Sequence, residues 1–104
     1  MKRLQALLGF AAKAGALVTG SAAVEAGIKQ RKIELVICAS DLSAKTIKNF
    51  NYFCKKNEVR FYCFGIISEL SHWVGSSGRG VIGITSKQFA DAIESLFIDG
   101  GEHH

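Results

Sequence analysis

The chain has 104 residues, 48% of them hydrophobic and 21% charged, which suits one domain with a single core and excludes a disordered chain. It has no proline, three cysteines in no paired pattern and no apolar run of the roughly 18–20 residues a membrane helix needs. Proline-rich linkers, a disulfide-stapled secreted scaffold and a membrane span are therefore excluded, and the charge of +4 points to a small basic cytoplasmic domain.

In chain order, Leu4, Leu7, Leu8 and Ala11 recur at helical spacing and predict a helix over 2–14, stopped by Gly15. Ala16 to Thr19 is a short apolar strand. Ser21 is placed to cap a second helix running from Ala22 to about Gln30, with Val24 and Ile28 inward. The β-rich run from Leu35 to Ala39 reads as a central strand covered on both faces. Residues 40–43 form a turn and cap before a helix over 44–56, whose inward stripe is Ile47, Phe50, Asn51 and Cys54. Val59 to Phe64 is a strand, Ile66 to Val74 a short helix, and Gly75-Ser76-Ser77-Gly78-Arg79-Gly80 a flexible loop. Val81 to Ile84 is the fourth strand. Thr85 with Gln88 fits a capping box for a last helix marked by Phe89, Ala92, Ile93 and Leu96. Residues 1–98 thus form one domain in the order α-β-α-β-α-β-α-β-α, followed by a polar tail over 99–104. Such alternation predicts a three-layer α/β/α sandwich.

The search for chemistry excludes more than it finds. The 75–80 loop precedes a strand, whereas P-loop and dinucleotide motifs follow a strand and open a helix. Cys38, Cys54 and Cys63 lie 16 and 9 residues apart, which matches no zinc pattern, so buried free thiols are expected. His72 is the one histidine outside the tail, and no carboxylate pair has acid–base spacing. No enzyme, cofactor or metal is expected.

The basic residues are more informative. Residues 1–60 carry eleven Lys and Arg against Glu25, Glu34, Asp41 and Glu58, a balance of +7, whereas residues 61–104 stand at −3. A one-sided basic surface suits a polyanion, because each phosphate contact releases counterions. On the 44–56 helix, Lys45, Lys48, Tyr52, Lys55 and Lys56 lie opposite the apolar stripe, where a tyrosine among lysines can join stacking to phosphate contact. Lys29, Arg31 and Lys32 cluster after the second helix, a place that also suits the helix dipole. Ordinary solvated helix faces account for both clusters equally well.

Two stretches carry a family resemblance. One is Val18-Thr19-Gly20-Ser21, its helix and the run from Leu35 to Asp41. The other is Glu69-Leu70, Gly75, Arg79, Val81 to Thr85 and Phe89-Ala90. Over about residues 3–98 the chain resembles the L7Ae/L30e superfamily of ribosomal and kink-turn RNA-binding proteins, most closely its bacterial ribosome-associated members. The resemblance implies a four-stranded mixed sheet and RNA binding without catalysis. In the family, a glycine, any residue, then Asn-Glu, with a Lys three places on, opens the second helix. Its N–H groups meet phosphate, and the polar side chains read sheared G·A pairs. Here Gly20 and Ser21 match, but the three readers are Ala22, Ala23 and Ala26, and each lost base contact costs about 1–3 kcal/mol. The family's second contact region, which holds a flipped-out base, maps near Ser43, Ile47, Ile67, the neighbours of Gly75, and Arg79. The resemblance therefore implies an RNA site made of Thr19, Gly20, Ser21, Ala22, Ala23, Ser43, Ile47 and the loop residues Gly75, Ser76, Ser77, Gly78 and Arg79. Lys29, Lys32, Lys45 and Lys48 add charge. The partner would be a structured ribosomal or kink-turn-like RNA, bound by a monomer without a membrane.

Two other readings stand beside it. In one, the same scaffold has lost kink-turn reading and serves protein contacts through a patch of Ala22, Ala23 and Trp73. In the other, it is a detached RNA module like the substrate-binding domain of RNA methyltransferases.

Overall fold

Two tetrapeptides, Leu35–Cys38 and Val81–Ile84, are buried at every position, and they are the two central strands of the sheet. The computed structural model describes residues 2–76 and 79–98; Ser77, Gly78 and the 99–104 tail lie outside the described residues. The elements are α1 Lys2–Lys13, β1 Leu17–Thr19, α2 Ser21–Lys29, β2 Leu35–Cys38, α3 Ala44–Lys56, β3 Arg60–Cys63, α4 Ile67–Val74, β4 Val81–Ile84 and α5 Lys87–Ile98.

The strands pair in the order β1-β4-β2-β3, with β4 antiparallel to both neighbours and β2 parallel to β3. The sheet is therefore mixed and four-stranded. Alternation along the pleat sends side chains of the central strands to two cores. Leu35, Ile37, Ile82 and Ile84 pack with Leu4, Leu8, Leu70 and Ile93, beneath α1, α4 and α5. Val36, Cys38 and Val81 pack with Val24, Ile28, Phe50 and Cys54, beneath α2 and α3. Helices cover both faces, which gives three layers. Because β4 runs against the rest, the ends of β1, β2 and β3 and the start of β4 share one end of the sheet. The N-termini of α2, α3 and α4 open there.

Four local expectations need correction. Gly20, not Ser21, is the N-cap of α2, and no side chain caps that helix. Gly20 has φ 98°, which turns the chain directly from β1 into the helix and leaves Ser21 already inside it. At α5, Ser86 Oγ accepts from the Phe89 N–H at 3.3 Å, so the cap falls one residue beyond Thr85. The Thr85 N–H is already committed to the Ala16 carbonyl, continuing the β1–β4 pairing. On α3, Asn51 is exposed, and the inward stripe is Ile47, Phe50, Phe53 and Cys54. Cys63 ends the edge strand β3 and is exposed, while Cys38 and Cys54 are buried. Burial pushes both buried thiols up to about 12.

Candidate nucleic-acid interface

The shared end of the sheet gathers most of the residues singled out from the sequence. Gly20 donates its N–H to the Val81 carbonyl at 2.9 Å and starts α2 with a positive φ. Among the described residues, nothing accepts from the N–H groups of Ser21, Ala22 and Ala23. That is the ordinary state of a helix N-terminus without a side-chain cap. Ser21, Ala22 and Ala23 are all exposed.

Arg79 lies across this turn. A Cβ built at Gly20 would sit 3.0 Å from Arg79 Nη1 and 3.5 Å from Cζ, so the missing side chain is what admits the guanidinium. Arg79 is exposed, and among the described residues its guanidinium makes no ion pair. Next to it, Gly80 threads between the start of α4 and the turn before α3: a Cβ there would come within 2.8 Å of Ile67 Cγ1 and 3.0 Å of Leu42 Cδ2. The Ala39 N–H donates to the Gly80 carbonyl at 2.8 Å and seats the loop's end on the sheet.

One residue of the arrangement is absent from the sequence reading. Ser71, on α4, is 5% exposed, and its Oγ donates to the Arg79 carbonyl and accepts from the Arg79 N–H, both at 2.8 Å. The signal for it is present in the sequence. Ile67, Leu70, Ser71 and Val74 keep the i, i+3, i+4, i+7 spacing of an inward stripe, and a serine in such a stripe needs buried partners.

The remaining residues take several different places. Ser43 accepts from the Thr46 N–H at 3.1 Å and caps α3, and Asp41 accepts from the Ile67 N–H at 2.8 Å at the start of α4. Ser76 accepts from the Thr19 hydroxyl at 3.3 Å, tying the chain after α4 to the end of β1, and Gly75 is the left-handed C-cap of α4. Ile47 and Ile67 are half-buried and pack against opposite cores. Lys45 and Lys48 are exposed on the first turns of α3, at this end. Lys29 closes α2, about 12 Å along the axis from its start, and pairs with Glu25 at 3.2 Å. Lys32 precedes β2. The structure thus places Lys29 and Lys32 at the opposite end of the sheet.

Ala22 and Ala23 lie on α2, whereas Trp73 packs into the core under α1, α4 and α5. They sit on opposite faces of the sheet and form no common patch. Among the described residues, no cluster of His, Cys, Asp and Glu could hold a metal ion, and no helix is long and apolar enough to cross a membrane.

Comparison with known proteins fits this geometry. Residues 2–94 match the model of the Ribosomal protein L7Ae/L30e/S12e/Gadd45 family. A relative in Enterococcus faecium, named RNA-binding protein YlxQ, is 33% identical over 95 residues, covering 86% of either chain. A solved Bacillus halodurans protein of unknown function superposes with a TM-score of 0.86 at 29% identity, over 89% of this chain and 94% of that one. The Giardia lamblia 15.5kD RNA binding protein superposes at 0.78 with 20% identity, over 89% and 79%, and shows the shared fold.

Proposed function

The chain belongs to the ribosomal protein L7Ae/L30e/S12e/Gadd45 family, and from that premise we propose that it binds structured RNA and performs no catalysis on it. The RNA is ribosomal or kink-turn-like, and the protein acts as a cytoplasmic monomer. The observation that carries the reading is the Arg79 guanidinium, without an ion pair among the described residues, laid over Gly20 beside the open N-terminus of α2. Helix N–H groups and an arginine are phosphate-binding groups, and arginine also stacks on bases. Support comes as well from the name of the Enterococcus faecium relative.

The interface is Thr19, Gly20, Ser21, Ala22 and Ala23 with Ser43, Lys45, Ile47, Lys48, Gly75, Ser76 and Arg79. In place of the family's Asn, Glu and Lys, the helix start presents alanine methyl groups. Backbone N–H groups, Arg79 and lysine charge then supply affinity, while side-chain reading of G·A edges is lost. This predicts RNA binding that weakens steeply with salt and discriminates only moderately between related folded RNAs.

A mobility-shift assay with a kink-turn hairpin at about 50 and about 200 mM salt tests the reading. Binding at the lower salt that falls at the higher is expected. No binding of the hairpin, or of ribosomal RNA fragments, at the lower salt would overturn it.

A further inference from the structure

Arg79 follows a glycine-serine loop and is exposed, a setting in which an arginine side chain ordinarily samples many rotamers. Its backbone is held nonetheless. The two hydrogen bonds from the single Ser71 hydroxyl close on the N–H and the C=O of the same residue, both at 2.8 Å. A hydroxyl offers one donor and can accept at the same time, and Ser71 directs its donor and one accepted bond to Arg79. Ser71 is 5% exposed and sits on α4, with Leu70 and Val74 of the same helix buried in the core. The clamp is therefore anchored to a rigid element rather than to the loop.

The residue after Arg79 is fixed as well. Gly80 passes between Ile67 and Leu42 where no Cβ would fit, and it accepts from the Ala39 N–H. With the backbone held at Arg79 and again at Gly80, the side chain leaves from a fixed Cα, and the guanidinium lies over the bare Gly20.

We propose that Ser71 is a positioning residue for RNA binding, a buried hydroxyl that sets the Arg79 backbone so that the guanidinium is held over the start of α2 before RNA arrives. Preorganisation of this kind raises affinity by removing the ordering cost from the binding step. The proposal rests on the RNA-binding reading of Arg79. It adds a residue that touches no RNA and acts through another. Ser71 is 5% exposed and its one O–H donor is committed to the Arg79 carbonyl, which separates positioning from direct contact.

The test compares Ser71→Ala, Ser71→Cys, Arg79→Ala and the Ser71→Ala/Arg79→Ala double variant in the full chain. Circular dichroism first fixes a temperature at which all are folded. Two readouts follow: Kd for a kink-turn hairpin, and 15N relaxation of the Arg79 side-chain Nε–H without RNA. Arg79→Ala is expected to weaken hairpin binding about tenfold, and Ser71→Ala several-fold. The double variant should bind no worse than Arg79→Ala alone, because Ser71 works only through Arg79. Ser71→Cys, which keeps a hydrogen-bonding group but a bulkier and weaker one, should fall between wild type and Ser71→Ala. The relaxation data should show an ordered Nε–H in the wild type and a mobile one in Ser71→Ala.

Additive losses in the double variant would assign Ser71 a general structural role and overturn the proposal. So would an Arg79 side chain equally ordered in Ser71→Ala. If order is lost but Arg79→Ala binds the hairpin like wild type, the positioning of Arg79 by Ser71 stands while the RNA-binding reading of Arg79, and with it the role in RNA binding, is overturned.

Discussion

Two arginines occupy opposite situations in this molecule. Arg60, on the edge strand β3, is surrounded by acceptors. Its Nη1 lies 2.8 Å from Asp91 Oδ1 and 3.0 Å from Glu94 Oε1, its Nη2 lies 3.7 Å from Glu34 Oε1, and its Nε donates to the Glu34 carbonyl. Tyr62 donates to the other Glu94 oxygen at 2.7 Å and stacks on Phe97 with centroids 4.5 Å apart. Arg79 has the reverse arrangement: its backbone is clamped by Ser71, while its guanidinium meets no carboxylate among the described residues. An arginine whose charge is met within the fold joins β3 to α5. One whose backbone is held but whose charge is unmet is available to an anion from outside.

Alkaline titration should have the largest effect, weakening the fold through the buried thiols and through the Tyr62–Glu94 contact beside Arg60. Burial, then the hydrogen bond to Glu94, pushes Tyr62 up to about 12, and burial raises Cys38 and Cys54 from 9.0 to about 12. Between pH 9 and 12 the native protein keeps thiol protons that the unfolded chain releases, so stability is full below pH 9 and falls as pH rises. The slope is up to about 1.4 kcal/mol per pH unit for each thiol, with Tyr62 adding to it above pH 10. Urea midpoints from pH 8 to 10.5 measure this, and a flat profile would contradict it.

Arg60→Ala should lower the unfolding free energy by about 1–2 kcal/mol, because it leaves the half-buried Glu94 without its cation, whereas Asp91 keeps Lys87 at 2.8 Å. Hairpin affinity, measured where the variant is folded, should not change. The mirror-image variant, Arg79→Ala, should weaken hairpin binding about tenfold, equivalent to about 1.4 kcal/mol, and leave the urea midpoint nearly unmoved. If both arginines affected binding equally, the distinction between met and unmet charge would collapse.

The element order, both central strands and the faces of most helices could be read from the sequence because each rests on local apolar spacing. Val24 and Ile28 on α2, and Leu35 to Cys38 on β2, declare their burial without tertiary knowledge. What could not be read depended on where chain segments meet. Gly20 displaces Ser21 as the cap because β1 must turn through a positive φ, and Cys63 is exposed because β3 is an edge. At the candidate site, Gly20, Ser43 and Arg79 were legible through resemblance. Ser71 was not, since its partner lies eight residues on, across a glycine-serine loop. Nor did the cluster of Lys29, Arg31 and Lys32 reveal which end of the sheet it occupies, because local charge carries no information about topology.

That last point yields the finest test. Lys45 and Lys48 sit on the first turns of α3, beside Ser43, at the end of the sheet that holds Arg79. Lys29 and Lys32 sit at the other end, and Lys29 is already paired with Glu25. Each phosphate contact contributes about 0.7 to 0.9 to the slope of log K against log salt. Lys45→Ala with Lys48→Ala should therefore flatten that slope by up to about 1.4 to 1.8 for the kink-turn hairpin. Lys29→Ala with Lys32→Ala removes the same formal charge and should leave the slope close to wild type. Since the two double variants have equal net charge, any difference between them reports location alone. Equal flattening would mean that RNA wraps both ends of the sheet, so that the interface is larger than the Arg79 end.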